Sequence, residues 1–195
     1  MAEYDLTPVN VPPVSTRYRR IHTALPVPES LPIFERMRQS EPRSMAGQPP
    51  VIWHTAEGST VSDRWDNRWI DWSSGVLITN AGHGHPRICA ALQAYIERPL
   101  LATYVFPHEG RAELIDALAQ LAPTPADYQV FLLTTGSEAV ENCIKLSKTY
   151  ALEKYGPHKK YIVSFQNAFH GRTMGAQLAG GMPRLKRWLG DSDTS

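Results

Sequence analysis

The sequence lacks the features that mark nucleic-acid-binding and membrane proteins. Its 20 lysines and arginines nearly balance its 19 aspartates and glutamates, and it contains no long block of like charge. This balance gives no electrostatic footprint for nucleic acid or a membrane surface. The first residues contain no apolar signal-peptide segment, and no apolar run is long enough to span a bilayer. We therefore expect a cytoplasmic protein with no nucleic-acid or membrane partner.

Cysteine is scarce. Cys89 and Cys143 are the two cysteines, and they lie far apart in segments with helical periodicity. Two distant cysteines do not make a disulfide framework, and neither belongs to a recognisable nucleophile motif. We interpret both as buried, reduced thiols of an intracellular protein.

The chain divides into three regions by texture. Nine of its sixteen prolines fall within residues 1–50, and because proline removes an N–H donor, this region is predicted to be an arm with one short helix at "LPIFERMRQ". Residues 51–85 include "VSDRWDNRWIDW", whose alternation predicts a hairpin turning at Asp66 and Asn67. The tryptophans of this stretch are not set in a strongly basic segment, which favours a packed or interface face over a base-stacking platform.

Residues 86–195 alternate between helical and strand-like patterns. Helices are predicted at "PRICAALQAYIE", "EGRAELIDALAQL" and "SEAVENCIKLSKTYALEKYG", and strands at "YQVFLLTT" and "KKYIVSF". This order is typical of an α/β fold, in which helices flank a mainly parallel sheet.

Two segments carry candidate site residues. In "TTGSEAVENCIKL" a capping box accounts for Thr135 and Glu138, whereas Gly136 and Ser137 fit an anion site at a helix N-terminus. The residues alone leave these two interpretations equally open. No nucleotide-binding glycine motif is present, so a bound phosphate would belong to another kind of ligand.

The second segment is "QNAFHGRTMGA", which follows a predicted strand. Ligands of open α/β sheets bind at the carboxyl ends of strands. Phe169 offers a flat face to a cofactor ring and Arg172 a planar fork to a carboxylate. Taken singly, Phe169 also fits a core position and Arg172 a surface ion pair.

Together, these segments and "NRWIDWSSGVLITNAGHGHP" resemble the class III aminotransferases, which include 4-aminobutyrate, ornithine and acetylornithine aminotransferases and use pyridoxal 5'-phosphate (PLP). The resemblance covers roughly 51–182. It implies the N-terminal part of the PLP-dependent transferase fold, of the aspartate aminotransferase type (fold type I). Residues 51–85 would form the N-terminal part of the small domain, and residues 86–195 the first part of the large PLP-binding domain. It also implies a homodimer for the whole protein.

The resemblance assigns roles to five residues. Gly136 and Ser137 are expected to bind the PLP phosphate, Phe169 to stack on the pyridine ring, and Arg172 to receive a substrate carboxylate. His170 is expected to support the cofactor pocket, with a structural role equally open. An arginine after the His-Gly pair favours enzymes that pass an amino group from an amino acid or omega-amino acid to 2-oxoglutarate over the related aminomutases.

The sequence departs from the family pattern in two places. The family's hairpin carries Asp-Gly where this chain has Trp65 and Asp66, so an aspartate is expected at a left-handed turn position. The family's Schiff-base lysine is expected beyond Ser195, which predicts that the chain is a fragment without the catalytic lysine. An inactive remnant or interaction module, and a sugar-phosphate or nucleotide-binding protein, remain alternatives. The histidines of "GHGHP" do not have the spacing of a metal site.

Overall fold

The structure is a computed structural model that describes residues 4–45, 47–98, 100, 102–103 and 105–190. The chain forms two compact units, Met1–Tyr104 and Val105–Ser195. The domain boundaries predicted at 50 and 85 stay predictions, because compact units of one chain need not coincide with the domains of a larger fold.

The first unit is built on a five-stranded antiparallel sheet, in the order β1-β2-β5-β4-β3. Its strands are β1 (Val14–Ser15), β2 (Arg20–Ile21), β3 (Thr55–Glu57), β4 (Thr60–Ser62) and β5 (Arg68–Ile70). Its helices are α1 (Leu31–Ser40), the four-residue α2 (Ser74–Leu77) and α3 (Pro86–Ile96). Ile21 and Val61 lie in its core, at 2% and 1% exposure.

Two of these strands lie in the region predicted to be an arm. The prolines of 1–50 argued against a sheet there, but β1 and β2 fit between them, two residues each, and Arg20 of β2 pairs with Arg68 of β5. The prediction of a simple arm is therefore wrong for these strands, whereas the predicted helix at 31–39 is confirmed as α1.

The predicted hairpin is confirmed, and buried polar side chains determine its turn. β4 pairs with β5 through Ser62 and Arg68, and Asp66 has the expected left-handed conformation, with φ of 68°. The Asp63 carboxylate accepts hydrogen bonds from the backbone N–H groups of Trp65 and Asn67, both at 2.9 Å. A non-glycine residue is held at positive φ here because these hydrogen bonds fix the turn around it.

The second unit is helical in its described residues. It contains α4 (Glu109–Gln120), α5 (Gly136–Tyr155), α6 (Met174–Ala179) and α7 (Pro183–Lys186). The three helices predicted after residue 85 are thus confirmed as α3, α4 and α5. Pro86 occupies the first turn of α3, and Gly156, with φ of 84°, follows the end of α5.

The two strand-like runs of this unit form no strand. Neither 128–135 nor 159–165 pairs with a strand among the described residues, where every strand pair is antiparallel. An extended segment becomes a strand only when a neighbour satisfies its N–H and C=O groups, and these two segments do not pair with each other. Their apolar side chains are accordingly uncovered, with Val163 90% exposed. The α/β class and an incomplete sheet are confirmed, but the strands that pair among the described residues are antiparallel and not mainly parallel as predicted.

Both cysteines are free and exposed, so the prediction of buried thiols is wrong. They lie on α3 and α5, which have no buried residue among those described. Within the described part of the chain, no helix is long and apolar enough to cross a bilayer.

Candidate functional site

The N-terminus of α5 is closed by the predicted capping box. The Thr135 hydroxyl accepts a hydrogen bond from the Glu138 N–H at 3.2 Å. The Glu138 carboxylate accepts in return from the N–H groups of Thr134 and Thr135, both at 3.0 Å. These bonds fix the direction of the helix start and hold an anionic side chain at its positive end.

Capping leaves two donors of the first turn available. The N–H groups of Gly136 and Ser137 have no acceptor among the described residues. A Cβ placed on Gly136 would meet nothing within 4 Å, so the space beside it is open. Free N–H groups at the positive end of a twenty-residue helix form a site that favours an anion.

The two candidate segments meet at Ser137. The backbone N–H of Arg172 donates to the Ser137 Oγ at 3.3 Å. Because the hydroxyl oxygen accepts this bond, its own proton remains available to a ligand. Gly171 lies so close that a Cβ there would clash with the Ser137 side chain, and its φ of 123° is a glycine conformation. A glycine before Arg172 is therefore required for this approach.

One turn further along α5, Glu141 binds the same loop. Its Oε1 atom accepts from the Thr173 hydroxyl at 2.6 Å and from the N–H groups of Gly175 and Ala176 at 2.8 and 3.1 Å. These hydrogen bonds, that of Thr173 first, hold the pKa of Glu141 below its ordinary value. Sequence reasoning missed this residue, although its position four residues after Ser137 places both on one helix face.

The core position considered for Phe169 and the surface ion pair considered for Arg172 are not observed among the described residues. Phe169 is 58% exposed, which does not match a core aromatic. The Arg172 guanidinium forms no ion pair with any residue that the structure describes. His170 is half-buried and has no hydrogen bond within the described chain. The structure brings Ser137, Gly171 and the Arg172 backbone together, whereas no hydrogen bond among the described residues joins His170 to Ser137.

The donor set fits a phosphate group. Two N–H groups and one hydroxyl proton are available at a helix N-terminus, and phosphate oxygens are acceptors that such a cluster binds. In the described ranges, no group of three or more His, Cys, Asp or Glu side chains has the arrangement of a metal site. His83 of "GHGHP" bonds instead to Asp71, with 2.7 Å between Nε2 and Oδ2.

Comparison with known proteins gives a consistent set of relatives. The family model "Aminotransferase class-III" matches residues 43–191. The chain is 37% identical over 134 residues to an acetylornithine/succinyldiaminopimelate aminotransferase of Yersinia pestis, covering 69% of the chain and 32% of that protein. It is 31% identical over 156 residues to a 4-aminobutyrate aminotransferase of Mycobacterium leprae, covering 80% and 34%.

A solved structure supports the same assignment. An ornithine aminotransferase from Toxoplasma gondii, whose active site contains PLP at partial occupancy, superposes with a TM-score of 0.64 at 28% identity, covering 78% of this chain and 35% of that one. The chain thus spans about a third of the length of these relatives. The predicted PLP-dependent transferase fold is confirmed for the part that the chain spans. The chain belongs to the class III aminotransferase family.

Proposed function

We propose that the protein containing this chain is a PLP-dependent transaminase that transfers an amino group from an amino acid or omega-amino acid to 2-oxoglutarate. The observation that supports this most directly is the contact between Ser137 and the Arg172 backbone. It joins a set of phosphate donors to a loop whose Arg172 guanidinium has no ion-pair partner among the described residues, and a transaminase of dicarboxylates needs both groups in one site.

Gly136 and Ser137 would bind the cofactor phosphate. Their N–H groups and the Ser137 hydroxyl proton are three donors in one helical turn, and a dianionic phosphate at this position also gains from the helix dipole. When bound, PLP supplies the electron sink for bond cleavage at the amino-bearing carbon. The protein's task at this end is to hold and orient the group, which these donors do without a positively charged side chain.

Phe169 and His170 would form one wall of the cofactor pocket. Phe169 projects an exposed aromatic face from the loop that bears Arg172, and such a face stacks on a planar heteroaromatic ring. His170 precedes Gly171 directly and would support that wall.

Arg172 would determine the choice of acceptor. A guanidinium presents parallel N–H donors that match the two oxygens of a carboxylate, so it binds the distal carboxylate of 2-oxoglutarate in a fixed orientation. A monocarboxylic 2-oxo acid has no such group to offer. The arginine therefore favours a dicarboxylic acceptor and leaves the amino donor open.

The lysines of this chain are not suited to hold the cofactor. Three of its lysines, Lys145, Lys148 and Lys154, lie on α5, and the Lys186 amino group donates to the Leu178 carbonyl at 3.1 Å. None matches the lysine segment of the family. We propose that the lysine holding the cofactor lies outside residues 1–195, and that the complete protein is a cytoplasmic homodimer.

Two measurements on the complete gene product test this proposal. Incubation of the protein with PLP, labelled glutamate and 2-oxoglutarate should exchange the label between them, and absence of exchange would contradict the transaminase assignment. Borohydride reduction in the presence of PLP, followed by peptide mass mapping, should label one lysine beyond Ser195. Stoichiometric labelling of a lysine within 1–195, together with turnover, would overturn the assignment of the catalytic lysine.

A further inference from the structure

We propose that Glu141 is a positioning residue, which holds the Arg172 loop against the N-terminal turns of α5 and thereby sets where the guanidinium receives a carboxylate. This inference rests on the function proposed for Arg172. It concerns a glutamate that touches neither the phosphate donors nor the guanidinium, and that acts through the backbone between them.

Helix α5 binds the loop at two successive turns. Ser137 and Glu141 are four residues apart and so project from one face of the helix. The Ser137 hydroxyl accepts from the Arg172 N–H, and the Glu141 carboxylate accepts from the hydroxyl of Thr173. Two consecutive loop residues are therefore tied to the helix that binds the phosphate.

Glu141, a residue of α5, caps the N-terminus of α6. Thr173 is the N-cap residue of α6, yet its own side chain does not cap the helix. Its hydroxyl donates to Glu141, and that carboxylate accepts the N–H groups of Gly175 and Ala176, which an N-cap side chain ordinarily binds. The start of α6 is thus capped by a side chain of α5 and not by its own N-cap residue.

The Glu141 carboxylate packs closely against the first turn of α6. A Cβ on Gly175 would clash with the Glu141 carboxylate. Ala176 is fully buried, at 0% exposure, so the first turn of α6 is held on its inner side as well. Arg172 makes the Ser137 contact with its own N–H and directly precedes Thr173, so the backbone is bonded to α5 at Arg172 and at the next residue.

The position of the Arg172 backbone matters because a guanidinium binds a carboxylate through two parallel hydrogen bonds. A shift of the Arg172 backbone would misalign the fork, and small misplacements of positioning groups are costly in rate. Loss of Glu141 should therefore weaken recognition of a dicarboxylate more than recognition of a monocarboxylate.

The test compares Glu141→Ala and Glu141→Gln with Glu153→Ala in the complete protein. Glu153 is an exposed glutamate near the other end of α5, and its replacement controls for loss of a charge from this helix. Hydrogen exchange of the peptide covering 171–176, measured without cofactor, reports the anchor itself. The KM values for 2-oxoglutarate and pyruvate, measured with kcat, report its consequence for Arg172.

We expect Glu141→Ala to speed exchange in 171–176 severalfold and to raise the KM for 2-oxoglutarate about tenfold, with a smaller change for pyruvate. Glu141→Gln, which keeps a carbonyl oxygen where Oε1 accepts, should restore much of both. Glu153→Ala should leave exchange at 171–176 unchanged. If Glu141→Ala does not fold, Thr173→Val removes the hydroxyl bond alone and should shift the same readouts in the same direction.

If the wild-type enzyme is active and Glu141→Ala leaves hydrogen exchange at 171–176 unchanged, Glu141 does not hold the loop. Equal KM increases for 2-oxoglutarate and pyruvate in this variant would also overturn the proposal. A wild-type protein that transfers no amino group to 2-oxoglutarate would instead overturn the proposed function. In that case, the exchange of 171–176 still decides whether Glu141 holds the loop.

Discussion

Replacing Ser137 with alanine should weaken cofactor binding mainly through the phosphate, because the variant loses a phosphate donor as well as the weaker contact to the Arg172 N–H. The Ser137 oxygen already accepts the Arg172 N–H, so its proton is free to donate to a phosphate oxygen. A hydrogen bond to a charged acceptor contributes about 1.5 to 3 kcal/mol. We therefore expect Ser137→Ala to raise the Kd for PLP about 10- to 100-fold in the complete protein.

The assay is a titration of the apoprotein with PLP, followed by absorbance, with pyridoxal as the matched ligand. Pyridoxal has the same ring and aldehyde but no phosphate, so its affinity should change little in the variant. Ser147→Ala, an exposed serine on the same helix, controls for the loss of a hydroxyl from α5. An unchanged Kd for PLP, or an equal loss for pyridoxal, would refute the phosphate assignment of Ser137.

Three further predictions follow from the loop that meets α5. Arg172→Lys should raise the KM for 2-oxoglutarate much more than that for pyruvate, because the two-pronged fork is replaced by a point charge, and equal effects would make the arginine structural. Gly171→Ala should destabilise the protein by about 1 to 3 kcal/mol in thermal unfolding, since its φ of 123° and its closeness to Ser137 exclude a Cβ, whereas Gly58→Ala, with open space around it, should cost less. The pKa of Glu141 is lowered, so its ionised carboxylate stabilises the fold fully above the ordinary glutamate pKa, and this contribution disappears as the pH falls through the lowered pKa. The Tm difference between wild type and Glu141→Gln should therefore shrink over that acidic range. A Tm difference that stays constant with pH would contradict this linkage.

The sequence was informative where local chemistry decides the structure. The cap at Thr135 and Glu138, the proline at the start of α3 and the hairpin turn at Asp66 each depend on residues within a few positions of one another. Their geometry follows from which side chain or backbone group satisfies the nearest N–H. Helix existence was likewise predictable, because apolar periodicity is a local property of the sequence.

Features that depend on distant partners were not predictable in this way. The runs at 128–135 and 159–165 have strand composition but pair with no strand among the described residues. In the proline-rich region, β2 forms because it pairs with β5, and β1 forms because it pairs with β2. Glu141 was missed for a similar reason. Its partners lie more than thirty residues away in sequence, and the spacing from Ser137 alone does not show what the shared helix face contacts.

The most direct test of the central claim is a crystal structure of the complete protein with PLP. The phosphate should lie within hydrogen-bond distance of the Gly136 and Ser137 N–H groups and the Ser137 hydroxyl, with Phe169 against the ring. A phosphate held elsewhere, with these three donors directed to solvent or to other protein groups, would contradict it.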